Sequence, residues 1–232
     1  KTVALAKEIL GEEKLQRASY IQAHGTGTPQ NRVTESHIFD SIADAFGIRN
    51  WLVSSIKCYV GHSLGAAAGD QCMAALGAWS EGIIPGIFTL DEIAHDVHQK
   101  NLHFSQRHIE EASDAKAACF INSKGFGGNN ATALLISPQQ TLQLLKNRHG
   151  SAAITAWQHA LTLSHKGQEK YQALAEKGQY HAIYHFGENV LEGTDLQINT
   201  DSISLLGHEQ SVTLSGTNYY SAYREKSASK KE

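Results

Sequence analysis

Two histidines and a lysine in this chain each follow residues that are typical of a buried strand. His24 comes directly after the strand-like residues 18–23, and Lys57 comes directly after the apolar residues 51–56. His62 lies five residues beyond Lys57, where a helix rich in small residues is expected to begin. Functional side chains of α/β proteins collect where strands end. Two neutral imidazole N–H groups beside a cation could therefore stabilise negative charge on a reacting oxygen.

Two glycine-containing loops accompany these residues. The first loop reads Gly-Thr-Gly-Thr-Pro after the first histidine; its glycines permit positive φ angles, and Thr26 and Thr28 offer hydroxyl groups. The second loop contains Phe126, Gly127 and Gly128 between two strand-like runs, a pattern that predicts a β-hairpin. A dinucleotide site is not predicted there, because a strand rather than a helix follows the glycines.

The hydrophobic pattern predicts helices that alternate with strands over residues 1–137, which is typical of an α/β fold with a mixed sheet packed with helices. Pro138 marks a change to polar helical patterns followed by alternating strands, so a mixed α+β appendage of unknown role is predicted over 138–225. A flexible tail is predicted over 226–232. Helices are expected over 2–10, 34–46 and 62–81. A polar connection with helical pieces is expected over 91–113.

The composition excludes several classes of function. The chain has 232 residues, of which 41% are hydrophobic and 19% charged, and its formal charge of -3 shows no basic excess, which argues against nucleic acid as the main partner. No apolar run is long enough for a membrane span. Three scattered cysteines predict free thiols in a reducing cytoplasm. The chain begins with Lys1 inside a helical pattern, so we expect it to be part of a longer protein.

A metal site is not predicted. The densest group of potential ligands lies in the polar connection, but no cysteine is near it and the segment has the composition of a solvated loop. Thirteen histidines also make such groups common by chance. The group consists of Asp91, His95, Asp96, His98 and His103.

Three stretches resemble the C-terminal signature motifs of β-ketoacyl-acyl carrier protein synthases. They occur in that family's order and roughly its spacing, within residues 1–137. The resemblance implies a thiolase-type fold made of two related α/β halves, of which this chain would be the second. The stretches are His24-Gly-Thr-Gly-Thr-Pro, Lys57 with Gly61-His62-Ser-Leu-Gly-Ala-Ala-Ala-Gly, and Asn122-Ser-Lys-Gly-Phe-Gly-Gly-Asn-Asn-Ala.

The resemblance implies a 3-oxoacyl-acyl carrier protein synthase, an acyltransferase of fatty acid or polyketide synthesis. Its decarboxylative Claisen condensation builds negative charge on the oxygen of a malonyl thioester. His24 and His62 are expected to donate hydrogen bonds to that oxygen. Lys57 is expected to fix the imidazole geometry and to supply a positive field.

The same resemblance assigns the substrate contacts and the partners. Thr26 and Thr28 would meet the pantetheine arm, while Phe126, with Gly127 and Gly128, would gate the acyl pocket. No cofactor is implied, because the substrates are carried on the phosphopantetheine of acyl carrier protein. The implied partners are acyl carrier protein, the N-terminal half of the same protein and a second copy in a homodimer.

The nucleophile of the family is a cysteine in the N-terminal half, so this chain alone is expected to be inactive. Cys58 adjoins Lys57, which could lower its pKa, but no family motif places the nucleophile there. One alternative is a non-catalytic, synthase-like subunit that binds acyl carrier protein or a catalytic partner. A thiolase is disfavoured because the chain lacks a Cys-Gly-Gly type of motif.

The chain also departs from the family pattern at several positions. Asn31 and Arg32 replace a common Gly-Asp pair, whereas Glu35 matches the family's glutamate. Gln71 stands where many members carry Glu, which keeps the shape of the side chain and removes its charge. Lys124 stands where Phe is common. These departures affect the electrostatics and loop packing of the site but not the histidine pair.

Overall fold

A computed structural model describes residues 1–110, 115–188 and 190–217 of the chain. The chain divides into two compact units, residues 1–163 and residues 164 onward. No helix among the described residues is both long enough and apolar enough to cross a membrane. The tail predicted over 226–232 lies outside the described residues.

The first unit contains helices and strands in alternation. Its described helices are α1 (Thr2–Leu10), α2 (Glu12–Arg17), α3 (Pro29–Ala45), α4 (Lys57–Val60), α5 (Ala67–Glu81), α6 (Pro138–His149) and the first part of α7 (Ser151–Glu176). Its described strands are β1 (Ser19–Gln22), β2 (Trp51–Ser54), β3 (Ile83–Ile84), β4 (Leu102–Phe104), β5 (Ile109–Glu110), β6 (Ala118–Lys124) and β7 (Asn130–Ile136).

Within the described residues, the main sheet has five strands in the order β4-β2-β1-β6-β7. Strands β4, β2, β1 and β6 are parallel, and β7 pairs antiparallel with β6, so the predicted hairpin around the glycine loop is confirmed. Because parallel neighbours end at the same edge of a sheet, the residues after β1 and β2 are brought together there.

Hydrophobic residues cover both faces of this sheet. Neighbouring residues of a strand point to opposite faces, so Tyr20 and Ile21 enter different cores. One core contains residues of α1, α2 and α3, and the other contains Ala75, Ala78 and Trp79 of α5. Helices on both faces of a mixed sheet confirm the predicted α/β class.

Three element predictions need correction. Helix α3 begins at Pro29 rather than near residue 34, because a proline in the first turn loses no intrahelical hydrogen bond. Helix α5 begins at Ala67 rather than at His62, after a short 3-10 turn over Leu64–Ala66. The helical pieces expected over 91–113 are wrong for the described residues 91–110, where β4 instead pairs with β2 at the edge of the sheet.

The second unit is described separately. It contains the end of α7 and, in its described residues, an antiparallel sheet of three strands in the order β10-β9-β8. These strands are β8 (Leu196–Ile198), β9 (Ser202–Leu205) and β10 (Val212–Thr213). A helix followed by strands agrees with the predicted α+β character.

The predicted boundary near residue 138 differs from the division at 163/164, which falls within α7. Residues 138–163 group with the first unit, where Lys14 Nζ donates to Gln140 Oε1 at 2.5 Å and Ile154 is buried. The role of residues 138–225 as a separate appendage stays a prediction.

The connection after β3 passes close to the chain around Arg107. The Gly86 N–H donates to His108 Nδ1 at 3.2 Å, and the Gly86 carbonyl accepts a hydrogen bond from Tyr59 Oη at 2.7 Å. A methyl group at Gly86 would lie 2.3 Å from the backbone oxygen of Arg107. Glycine is therefore required at this position by a close backbone approach.

We expect Gly86→Ala to lower the free energy of unfolding by about 1–3 kcal/mol, because the added methyl group forces two backbone segments apart. Chemical denaturation measures the change. Gly167→Ala in α7 is the matched control, since no atom lies within 4 Å of a methyl group added there. Its expected effect is a gain of up to about 1 kcal/mol from helix propensity. Equal losses in both variants would contradict the prediction.

Candidate active site

His24 is held at the end of β1 by backbone hydrogen bonds. The residue is buried, and its backbone N–H donates to the side-chain oxygen Oε1 of Glu35 at 2.7 Å. Gly25 follows with a φ of 58°, and a methyl group there would lie 2.1 Å from Ser55 Oγ. The turn after β1 therefore requires glycine at position 25. This turn fixes the backbone of His24, from which the imidazole side chain extends.

The carboxylate of Glu35 joins three elements of the site. Besides the His24 N–H, it accepts hydrogen bonds from the Gly25 N–H at 3.0 Å, Asn31 Nδ2 at 3.0 Å and Asn122 Nδ2 at 2.8 Å. Glu35 is buried, and hydrogen bonds of this kind compensate a buried charge. The sequence identified Glu35 as a match to the family motif. It did not show that four hydrogen bonds converge on the Glu35 carboxylate.

His62 lies next to His24 although the two are 38 positions apart in the sequence. Their ring centroids are 5.2 Å apart and the rings are inclined by 80°. His62 Nδ1 accepts a hydrogen bond from the Leu64 N–H at 3.0 Å. In the neutral imidazole the proton is therefore on Nε2, and His62 is an exposed residue whose Nε2–H can donate.

The surroundings of His24 favour its neutral form. Burial lowers the pKa of His24 below its ordinary value, and the positive charge of Lys57 lowers it further. The negative charge of Glu35 opposes this shift, while His62 and Lys124 add to it. A neutral imidazole retains an N–H group that can donate to an oxyanion without carrying a charge itself.

Lys57 begins α4 and acts on His24 through its charge. Its ammonium nitrogen is buried and has no hydrogen-bond partner among the described residues, and burial lowers its pKa. No hydrogen bond to His62 is formed in this part of the chain, so the expected fixing of that ring by Lys57 stays a prediction. Lys57 and His62 both line a cavity of about 590 Å³ with Thr26 and Glu35.

Gln71 ties the end of β1 to the end of β6. Its Nε2 donates to the backbone oxygens of Gln22 at 3.1 Å, Ala23 at 2.7 Å and Asn122 at 3.0 Å. An ionised glutamate could only accept, so the amide supplies donors that the family's common residue lacks. The sequence showed the loss of charge at Gln71, but the three acceptors come from strands that only the fold brings together.

The remaining predicted site residues lie in the two glycine loops. Thr26 Oγ1 and Thr28 Oγ1 are 3.3 Å apart at the start of α3. Phe126 is 91% exposed at the tip of the β6–β7 hairpin, where Gly127 and Gly128 have φ angles of 86° and 89°. Their predicted contacts with substrate stay predictions.

Cys58 does not have the properties of an activated nucleophile. Burial raises the pKa of its thiol despite the neighbouring Lys57, and Sγ donates to the Ser55 carbonyl at 3.1 Å. Cys119 is buried in the sheet, where burial raises its pKa to about 12. The structure thus gives neither thiol an environment that lowers its pKa.

Two of the residues considered for zinc have other contacts. Asp96 forms a bidentate ion pair with Arg32 at 2.9 and 3.0 Å, and the His98 ring lies 4.7 Å from the His37 ring. In the ranges 1–110, 115–188 and 190–217, no three metal-ligating side chains converge.

Comparison with known families supports the motif reading. Residues 3–91 match the family described as "Beta-ketoacyl synthase, C-terminal domain". Residues 3–91 of this chain belong to that family. Two of the three motifs, which contain His24, Lys57 and His62, lie inside the matched residues.

The chain is similar to curated synthases. It is 41% identical over 210 residues to the β-ketoacyl-[acyl-carrier-protein] synthase FabY of Pseudomonas aeruginosa, with 90% of this chain and 33% of FabY covered. It is 31% identical over 117 residues to the 3-oxoacyl-[acyl-carrier-protein] synthase 1 of Escherichia coli, with 50% and 27% covered. The chain spans between about a quarter and a third of the length of these relatives.

The crystal structure of the ketosynthase FabY from Pseudomonas aeruginosa has a similar fold. The TM-score is 0.82 at 39% sequence identity, with 97% of this chain and 35% of that chain covered. This similarity confirms the predicted half of a thiolase-like fold. A match over 97% of the chain extends past residue 137, so most of the segment predicted as an appendage has a counterpart in FabY.

We expect Glu35→Gln to lower the free energy of unfolding by about 1–3 kcal/mol, because the new amide nitrogen would face donors that need an acceptor. Denaturant unfolding measures the loss. Glu8→Gln on the exposed surface of α1 is the control, with an expected change within about 0.5 kcal/mol. A loss at Glu35 no larger than that at Glu8 would show that the four hydrogen bonds contribute little.

We expect Lys57→Met to raise the pKa of His24 toward its ordinary value of about 6.5, because a neighbouring positive charge is removed. NMR titration of the imidazole protons measures the pKa. Since unfolding restores the ordinary value, the free energy of unfolding of the unmodified chain should fall as the pH drops below about 6.5. An unchanged His24 pKa in the variant would refute the electrostatic role of Lys57.

Proposed function

We propose that the full-length protein carrying this chain is a 3-oxoacyl-acyl carrier protein synthase of fatty acid or polyketide synthesis. The observation that carries the proposal is the pair of His24 and His62, whose rings lie 5.2 Å apart at adjoining strand ends. Both can present an N–H group in the neutral form. Such a pair suits an oxygen that gains negative charge during the reaction.

The proposed reaction begins with the malonyl thioester. The bond between its carboxylate carbon and its α-carbon breaks, CO₂ leaves, and the electron pair forms an enolate whose oxygen accepts hydrogen bonds from His24 and His62. The enolate carbon then attacks the carbonyl of an acyl-enzyme thioester, a carbon–carbon bond forms, and the enzyme thiolate leaves. We propose that the parts found in the relatives but not in this chain provide that nucleophilic cysteine.

The proposed partner is acyl carrier protein, which the names of FabY and of the Escherichia coli relative include. Thr26 and Thr28 are proposed to contact the pantetheine arm, since their hydroxyl groups lie beside the His24 turn. Phe126 is proposed to gate the acyl pocket from the hairpin tip. Substrates carried on pantetheine require no further cofactor.

We propose that the rest of the protein, an N-terminal half, covers the exposed apolar residues beside the site. Leu64 is 66% exposed and Met73 on α5 is 68% exposed, with Val60 and Leu76 exposed as well. Large exposed apolar side chains are covered in many proteins by an interface. A homodimer in the cytoplasm is proposed by the family resemblance, whose dimer contacts lie mostly in the N-terminal half.

In the full-length protein, we expect His24→Ala and His62→Ala each to reduce decarboxylation of malonyl-acyl carrier protein by about 10²–10³, because each removes a donor to the enolate oxygen. Release of CO₂ and elongation of an acyl carrier substrate are the two measurements. His159→Ala on the exposed side of α7 is the control. The 232-residue chain alone is expected not to elongate any substrate.

Wild-type rates in both histidine variants would overturn the assignment. Binding of acyl carrier protein by a full-length protein that releases no CO₂ would instead favour the non-catalytic subunit. Elongation by the chain alone would show that the nucleophile lies within it.

A further inference from the structure

The turn that carries His62 contains a strained residue. This turn lies between α4 and α5 and includes the short 3-10 turn over Leu64–Ala66. Leu64 has a φ of 55°, which is in the left-handed region that leucine rarely adopts. Such a conformation persists only where neighbouring contacts hold it. The contacts of this turn therefore decide whether the His62 imidazole keeps its surroundings.

The Leu64 N–H links this backbone conformation to the protonation of the imidazole. It donates to His62 Nδ1 at 3.0 Å, which leaves the proton of the neutral ring on Nε2. If Leu64 returned to a negative φ, its N–H would change direction and Nδ1 would lose this donor. Both ring nitrogens would then be open to the proton, and Nε2 would donate for only part of the time.

Ser63 and Asp70 hold the turn from the side of α5. The Ser63 hydroxyl donates to Asp70 Oδ2, and the Ser63 carbonyl accepts a hydrogen bond from the Ala66 N–H at 3.1 Å. Because Ser63 lies between His62 and Leu64 in the chain, its side-chain bond restrains both neighbours. A hydroxyl that donates to a carboxylate forms a charge-assisted hydrogen bond, which is stronger than a neutral one.

Asp70 is itself held in place by α5. It lies in the first turn of this helix, where the partial positive charge of the helix end favours a carboxylate. The next residue, Gln71, is buried, and its amide donates to three backbone oxygens at the ends of β1 and β6. The bond from Ser63 therefore connects the His62 turn to the same end of the sheet that carries His24.

Asp70 also supplies a negative charge that the neighbouring position lacks. Gln71 is neutral, whereas many family members carry glutamate there. Burial lowers the pKa of Lys57, and the negative charges of Glu35 and Asp70 oppose that shift. Asp70 thus acts on the cation of the site through its charge and on the His62 turn through a hydrogen bond.

We propose that Asp70, through Ser63, is a positioning residue for His62. The pair keeps Leu64 in its left-handed conformation and so keeps the proton of the His62 ring on Nε2. The inference rests on the proposed function for its effect on the reaction, whereas its effect on the imidazole is independent of any activity. Loss of the pair is therefore expected to affect the chemical step rather than the binding of the carrier substrate.

The first measurement is the tautomer of His62, observed by NMR in the full-length protein with isotopically labelled histidine nitrogen. The unmodified protein should carry the proton on Nε2, and the signal that disappears in His62→Ala assigns the ring. In Ser63→Ala and in Asp70→Ala, a fraction of the molecules should carry the proton on Nδ1. Ser63→Thr keeps the hydroxyl and should restore the original tautomer. An unchanged tautomer in both alanine variants would overturn the proposal.

The second measurement is the release of CO₂ from malonyl-acyl carrier protein. Each alanine variant is expected to lower kcat about two- to tenfold, the range for one net hydrogen bond, with little change in KM. The double variant should lose no more than the larger single loss, because both changes break the same bond. Additive losses would mean that the two residues act separately, which contradicts the proposal.

Two comparisons separate this bond from other effects. Asp70→Asn removes the charge but leaves an acceptor for Ser63, so kcat should fall less than in Asp70→Ala. An equal fall would assign the effect to the charge near Lys57 and would overturn the positioning role. Ser80→Ala is the matched control, because the exposed Ser80 Oγ donates to Glu81 Oε1 at 2.9 Å at the other end of the same helix. Its kcat and its tautomer should match those of the unmodified protein.

The possible failures are distinguishable. If the unmodified protein releases no CO₂, the proposed function fails, and the tautomer measurement still decides the role of Asp70. If it releases CO₂ and the tautomer shifts in the variants without any fall in kcat, the role of the pair in the reaction is refuted. Thermal unfolding establishes that each variant is folded. If Asp70→Ala does not fold, Ser63→Ala breaks the same bond at an exposed residue and gives both readouts.

Discussion

The site depends on one buried carboxylate. Glu35 accepts hydrogen bonds from the backbone of the His24 turn, from Asn31 on its own helix and from Asn122 on β6. A buried charge is tolerated because these donors replace water. The same bonds fix the spacing between α3 and the ends of two neighbouring strands. The position of the His24 imidazole follows from that spacing.

The amide of Gln71 complements this carboxylate from the other face of the sheet. Glu35 accepts hydrogen bonds, whereas Gln71 Nε2 donates hydrogen bonds to carbonyl oxygens at the ends of β1 and β6. Where two strands separate, their backbone N–H and C=O groups lose the hydrogen-bond partners they had within the sheet. Those backbone groups that are buried require other partners. The two side chains supply them, so the order at this edge of the sheet and the position of His24 have a common physical basis.

Charge around the histidines is predominantly positive. Lys57 and Lys124 approach His24 from different elements, and burial adds to their effect by favouring its neutral form. Neutral imidazoles surrounded by positive charge keep their N–H groups available as donors. Such a site favours a substrate that carries or develops negative charge. The similarity to FabY covers 97% of the chain and therefore also extends past residue 137.

The sequence by itself determined the α/β class, the three motifs and the histidine pair, because each motif is a short local run at a strand end. Tertiary structure decided which side chains support them. Glu35 and Asn122 are 87 residues apart in the chain, and Gln71 and Asn122 are 51 apart, so no local pattern could pair them. The edge strand β4 likewise depended on its pairing with β2. The residue types determine which chemistry is possible. The hydrogen-bond partners of a buried polar group depend on which strands the fold places next to each other.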